Sequence, residues 1–185
     1  SSGERIYRSG DDAAGLAISE KLKGHIRGLR QARRNANDSI SLIQTAEGGL
    51  NEVTNIIVRM RELAVQAASD TIGDQERGYT DIEFQLLKDE IDRIARSTEF
   101  SGRKLLDGTT GPMEFQIGIR NDPTLDRIFY DGAEVDATIT NLGLSGETIS
   151  LKQGAQVSLD RLDRSLDQIS GVRAKLGAIQ NRATS

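Results

Sequence analysis

Apolar residues recur along the first third of the chain with a seven-residue spacing. Leu22, Leu29, Ala36, Ile43, Leu50, Ile57 and Ala64 mark one row, and Ala32, Ala46, Val53, Met60 and Ala67 mark a companion row three positions further on. Two rows at this spacing put their side chains along one side of an α-helix, as in a coiled coil. The seam is sustained over about six heptads, with polar breaks at His25 and Ser39. It predicts one helix over residues 11 to 69, ~90 Å long at ~1.5 Å per residue. Gly48-Gly49 lie in its middle and cost ~1 kcal/mol each against Ala, so the helix is expected to form only when packed, with this pair as the place for a bend.

A second helix is predicted over residues 74 to 96, after a turn at 70–73. Asp74 is the expected N-cap, because its carboxylate can accept an orphan backbone N–H. Phe84, Leu87, Ile91 and Ile94 form its stripe, flanked by Ile82 and Leu86. From about 102 to 146 the period changes. Met113-Glu114-Phe115-Gln116-Ile117 alternates as a strand does. Arg127-Ile128-Phe129-Tyr130 and Val135-Asp136-Ala137-Thr138-Ile139 are also expected strands, joined by a turn at Asp131-Gly132. The last helix is predicted from near Ser150 to the end, with Ala155, Leu159, Leu162, Leu166, Ile169, Val172, Leu176 and Ile179 spaced by three or four.

Neither terminal helix can bury its stripe alone, and pairing them buries both. The expected fold is mainly α with a small β insertion, a long antiparallel coiled-coil-like helical rod. Residues 1–101 supply the first two helices of one helical core domain, 102–148 a small β region, and 149–185 the returning helix of the same domain. Both prolines, Pro112 and Pro123, fall in the central region, where they interrupt no helix.

Composition narrows the function. Hydrophobic residues make up 36% and aromatics 4%, with no Trp, which suits narrow helical stripes better than a compact globule. The net charge of −4 has neither sign gathered at a tail, so nucleic-acid binding is not expected. Without cysteine, disulfides and thiolate zinc sites are excluded. No apolar run approaches the ~20 residues of a membrane span.

Candidate chemistry is sparse. His25 is the only histidine, so a metal site or triad needing two is excluded. Asp11-Asp12 are adjacent and do not converge on a helix; a helix N-terminal position suits them better. Asn37-Asp38-Ser39 has the form of a glycosylation sequon but falls within the predicted helix. The loop from Gly108 to Gly111 lacks the Lys-Ser/Thr of a phosphate cradle. No catalytic constellation, cofactor or metal site is expected, and the chain is read as no enzyme.

Many short motifs in one order resemble the bacterial flagellin family. Ser1-Ser2-Gly3 and Asp11-Asp12-Ala13-Ala14-Gly15-Leu16-Ala17-Ile18 come first, followed by Gly28-Leu29-Arg30-Gln31-Ala32 and Arg34-Asn35-Ala36-Asn37-Asp38. Gln44-Thr45-Ala46-Glu47-Gly48 and Leu50-Asn51-Glu52 precede Arg59-Met60-Arg61-Glu62-Leu63-Ala64-Val65-Gln66, the segment most similar to the family. Glu90-Ile91-Asp92-Arg93-Ile94, Phe100-Ser101-Gly102-Arg103-Lys104-Leu105-Leu106, Phe115-Gln116-Ile117-Gly118 and Leu176-Gly177-Ala178-Ile179-Gln180-Asn181-Arg182 continue it.

The resemblance implies a secreted structural subunit of the bacterial flagellum, polymerising with other flagellin subunits into the filament that drives motility. It also implies that this chain is the helical core without the terminal segments, one of which would bind an export chaperone, and that alone it polymerises poorly. By the same resemblance, a surface of the core is read by the innate immune Toll-like receptor 5. The receptor-facing Arg then falls on Arg59, the Leu one turn on falls on Leu63, and the Glu of the second helix falls on Glu83. Arg59 and Leu63 are i,i+4, and both are expected off the main seam. A hook–filament junction protein shares the helical design, though the intact 59–66 segment favours flagellin. A signalling coiled coil would leave the central strands unexplained.

Overall fold

The computed structural model describes residues 2–185, with side chains from Gly10 onward. The Ser1-Ser2-Gly3 motif therefore falls outside the described side chains. Three helices carry the fold: α1 (Ser2–Ala67), α2 (Asp74–Ser97) and α3 (Lys152–Thr184). Four short strands lie between α2 and α3: β1 (Glu99–Phe100), β2 (Arg103–Lys104), β3 (Pro112–Gln116) and β4 (Arg127–Asp131).

The seam of α1 forms the core from Ala32 onward. Ile43, Ala46, Val53, Ile57, Met60, Ala64 and Ala67 are fully buried, and α3 answers with Ala155, Leu162, Ile169 and Leu176. The two helices run antiparallel, as their cross-links record: Lys152 meets Asp70 and Arg61 meets Asp163. Seryl positions in the core close their hydroxyls locally, Ser39 on the Ala36 carbonyl and Ser165 on that of Leu162, both at 2.7 Å. Ser39 is thus a satisfied polar residue and no gap in the packing.

The lower seam departs from expectation. Leu22 and Leu29, expected in the core, are each 54% exposed. The last turn of α3 reaches only the level of Leu29, Ala32 and Ala36, where Arg182, Ala183 and Thr184 share an open cleft with them. Below it only the loop after β3 reaches α1, with Ile119 beside His25 and Gly28, and Leu22 lies beyond that cover.

Gly48-Gly49 does not break α1, which is continuous through both. Gly49 is there for space. A Cβ on it would stand 2.5 Å from Leu106 Cδ1 and 3.0 Å from Thr98 Oγ1, whereas one on Gly48 would meet nothing. The corner after α2 therefore seats directly on the α1 backbone.

The turn between α1 and α2 is fastened by Arg77. Its guanidinium donates to the Ala67 and Ser69 carbonyls and to Asp74 Oδ1, each at 2.7 Å. These are carbonyls that the end of α1 leaves without helical partners. Asp74 is not the N-cap expected from sequence: Gly73 is, with no side-chain cap bond, and the Asp74 carboxylate is taken by Arg77 instead.

After α2, β1 and β2 form a tight hairpin through Ser101 (φ 51°) and Gly102 (φ 76°). Positive φ at both positions matches the twist of a two-residue hairpin turn. β3 pairs antiparallel with β4, from Pro112 opposite Asp131 to Gln116 opposite Arg127. The third expected strand is absent from the described sheets. Asp131 accepts from the Ala133 N–H and starts a 3-10 turn at Gly132–Glu134, which carries the chain away from β4. Residues 135–139 instead bond to the segment after β2, with Ala137 N–H on the Leu106 carbonyl at 2.8 Å. Residues 135–149 form an irregular strap that buries Val135, Ala137, Ile139, Leu142, Leu144 and Ile149.

Polar side chains of α2 hold this strap. Asp92 accepts from the Ile139 N–H at 3.0 Å and Asp81 from the Ile149 N–H at 2.9 Å. Lys88 donates to the Ser145 and Glu147 carbonyls. Burial pushes the Lys88 pKa down, against the attraction of Asp81, Glu147 and Asp89. Tyr130 lies under the strap's start, with its hydroxyl on the Leu105 carbonyl, and burial pushes its pKa up to about 12.

Candidate functional site

Arg59 projects from α1 toward α2, whose course beside it is fixed by the buried Phe84 and Ile91. Its guanidinium spans the gap. Nη2 lies 3.2 and 3.1 Å from the two Glu83 carboxylate oxygens, and Nη1 lies 3.2 Å from Glu62. These hydrogen bonds, first to Glu83 and then to Glu62, raise the Arg59 pKa above its ordinary value. The side chains of Arg59 and Glu83 are 45% and 46% exposed, so the pair forms a wet, outward-facing bridge between two helices.

Large apolar side chains are exposed on the same two helices. Val58 and Val65 on α1, and Tyr79, Ile82 and Leu86 on α2, are each at least half exposed. A salt-bridged Arg amid exposed apolar and aromatic residues has the composition of a protein-contact surface.

Leu63 is not part of that exterior. It is 3% exposed and belongs to the core. The sequence reading placed it off the seam because it counted only the α1–α3 contact. In the structure α2 covers a second flank of α1, and Leu63 lies on that flank. The residue that sequence reasoning missed is Glu62, which ties the same guanidinium from one turn away. Its i,i+3 spacing from Arg59 was the available signal.

Among the described residues, no group of three or more His, Cys, Asp or Glu is placed to hold a metal ion. No described helix is long and apolar enough to cross a membrane. His25 is half-buried in a shallow cleft beside Gly28, Gln116 and Ile119.

Comparison with known proteins gives this helical surface its context. Residues 1–110 match the family model for the bacterial flagellin N-terminal helical region. The chain belongs to the bacterial flagellin family. A flagellin of Halalkalibacterium halodurans is 47% identical over 182 residues, covering 98% of this chain and 66% of the relative. A Bacillus subtilis flagellin is 42% identical over 213 residues, covering 98% and 69%. The chain thus spans about two thirds of the length of the curated relatives it matches. The crystal structure of Bacillus cereus flagellin shares the fold with a TM-score of 0.70 and 31% identity, over 82% of this chain and 85% of that one. A candidate hook-associated protein from Vibrio parahaemolyticus, at 15% identity and a TM-score of 0.64 over 91% of this chain and 88% of that one, shows the shared fold alone. Flagellins are structural proteins, and membership of the family places this chain outside the enzymes.

Proposed function

We propose that this chain is the wall-forming core of an extracellular flagellar filament subunit, packing side by side with other copies. The rod built on the 66-residue α1, in a chain of the flagellin family, carries this reading. An export chaperone would bind the part of the subunit that the relatives have beyond the matched length. Electron microscopy of this chain extended to the full length of its relatives, under polymerising conditions, tests it. Filaments are expected, and their absence would overturn it.

The Arg59–Glu83 bridge supports a second role on the same surface, recognition of the monomer by Toll-like receptor 5. Arg59 and Glu83 would make the contact directly, with Leu63 holding the two helices at the required separation from beneath. Packing between subunits would hide this surface, leaving only monomers to be read. Receptor-ectodomain binding should fall for Arg59→Ala and Glu83→Ala; unchanged affinity for both would remove the assignment.

A further inference from the structure

The chain leaves β4 abruptly, and a cavity lies beside the departure. Asp131 ends the strand by capping the 3-10 turn at Gly132–Glu134. A Cβ on Gly132 would stand 2.5 Å from the Thr110 carbonyl oxygen, so the turn is pressed against the segment that leads into β3. On the other side α3 presents Val172, Leu176 and Ile179 at spacings of four and three, one stripe of a helix. Leu176 is buried, whereas Val172 and Ile179 are only half-buried. Between this stripe, β4 and the turn lies an open-mouthed cavity of about 390 Å³.

Its walls are apolar. Tyr130, Val135 and Leu176 line it as buried residues, and Phe129, 45% exposed, stands beside them. Tyr130 commits its hydroxyl to the Leu105 carbonyl. Small-molecule sites of ~300–1,000 Å³ combine such walls with a few placed polar groups, and here those groups are Asp131, Glu134 and Lys175. Asp131 Oδ1 accepts from the Ala133 N–H at 3.0 Å, while Oδ2 has no partner among the described residues. Glu134 and Lys175 stand 3.7 Å apart, and both side chains are exposed. That separation is too long for a hydrogen bond, and a solvated pair of this kind holds its members weakly.

A third carboxylate, Glu114, lies directly opposite Phe129 in the β3–β4 ladder. Arg127, two residues before Phe129, is turned to Gln116 and Asn121 instead. The surroundings of the cavity are therefore acidic, with Lys175 as the cation in its lining. An excess of carboxylates beside an aromatic ring favours a positively charged guest, by Coulomb attraction and by cation–π contact.

We propose that this cavity binds a small amphipathic cation, with an aromatic body against Phe129, Val172 and Ile179 and a protonated amine at Asp131 and Glu134. An acid of the same shape would face those two carboxylates and find Lys175 already beside Glu134. The site lies within the folded core and rests on neither the filament reading nor the receptor reading.

The chain has no Trp, so indole fluorescence comes from an added ligand alone. Tryptamine, tryptophol and indole-3-propionate share one aromatic body and have a cationic, a neutral and an anionic head. Each is titrated with the chain by fluorescence anisotropy, and methyl chemical shifts locate it. Tryptamine should bind roughly fivefold tighter than tryptophol, and the acid most weakly, with shifts at Val172 and Ile179. Ala178→Phe, at an exposed position of the lining, should abolish binding of all three while leaving the melting temperature unchanged. Asp131→Asn with Glu134→Gln should bring tryptamine to the affinity of tryptophol, since the Asn oxygen still accepts from the Ala133 N–H. Lys175→Met should tighten tryptamine and weaken the acid. Tighter binding of the acid than of the amine, or weaker tryptamine binding on Lys175→Met, would overturn the cation assignment. Affinities that survive Ala178→Phe, shifts absent from Val172 and Ile179, or no binding by any of the three would overturn the site itself.

Discussion

Lys88 of α2 donates to the Glu147 carbonyl at 3.0 Å and to the Ser145 carbonyl at 2.9 Å, so a buried ammonium holds the end of the irregular strap. Glu147 is anchored again through its side chain, which accepts from Ser158 at 2.8 Å and pairs with Arg161 at 2.9 Å. The strap is thereby tied to both α2 and α3. Lys88→Met keeps the aliphatic stem but leaves the Ser145 carbonyl without its donor and the Glu147 carbonyl with Gln85 alone. We expect a loss of ~1–3 kcal/mol in chemical denaturation, since an unmet buried acceptor costs more than a made bond contributes. Undiminished stability would mean that water serves these carbonyls equally well.

The two central glycines should respond with opposite signs. Gly49→Ala forces a methyl against Leu106 and Thr98 and should cost about 1–3 kcal/mol as overpacking does. Gly48→Ala meets nothing and should stabilise the helix by about 1 kcal/mol. Thermal melts of the two single variants decide it, and a shift in the same direction for both would contradict the close approach of the 98–106 corner.

Leu63 and Arg59 should separate stability from recognition. Leu63→Ala removes a core side chain and should cost ~2–5 kcal/mol, whereas Arg59→Ala should leave the melting temperature nearly unchanged because its ion pairs are solvated. Receptor binding by the Leu63 variant must then be measured below its own melting transition. A stable Leu63→Ala variant would place that side chain outside the core.

Asp92 should make the strap sensitive to acid. Burial opposes its charged form, but the Ile139 N–H and the Arg96 guanidinium outweigh that cost and lower its pKa. A carboxylate with a folded value below its unfolded one contributes stability above the unfolded value. That contribution is lost as pH falls through the folded one. Thermal melts of wild type and Asp92→Asn should therefore differ at neutral pH and converge in strong acid. A constant difference at every pH would assign the effect to shape alone.

The helices were legible because their seams repeat: Ile43 through Ala67 on α1 and Ala155, Leu162, Ile169 and Leu176 on α3 are buried where periodicity placed them, with Leu159, Leu166 and Val172 packed half-buried beside them. Periodicity locates a stripe but not the length of what covers it, so Leu22 and Leu29 read as core although α3 ends at the level of Leu29 and leaves both exposed. Nor does it count partners, and Leu63 read as exterior because α2's coverage of a second flank has no signature in α1 itself. The strap at 135–149 was opaque for another reason. Its backbone bonds go to Asp92, Asp81 and Lys88, distant side chains that no local pattern announces. Arg59 and Glu83 were placed by family resemblance, and their mutual bridge became visible only once the two helices lay side by side.

The uneven covering of α1 divides one continuous helix into two stability regimes. From Ala32 upward, amide protons can exchange only by opening a core that the whole fold defends. Between Gly10 and Lys23 the hydrogen-bond ladder is the same, but every described side chain is exposed, and a short isolated helix is marginal in water. Deuterium uptake should therefore change abruptly within a few turns around Ala32, along a segment whose backbone geometry shows no break at all. One uninterrupted rod would then have a firm shaft and a fast-exchanging handle, with the boundary set by the level at which α3 meets α1.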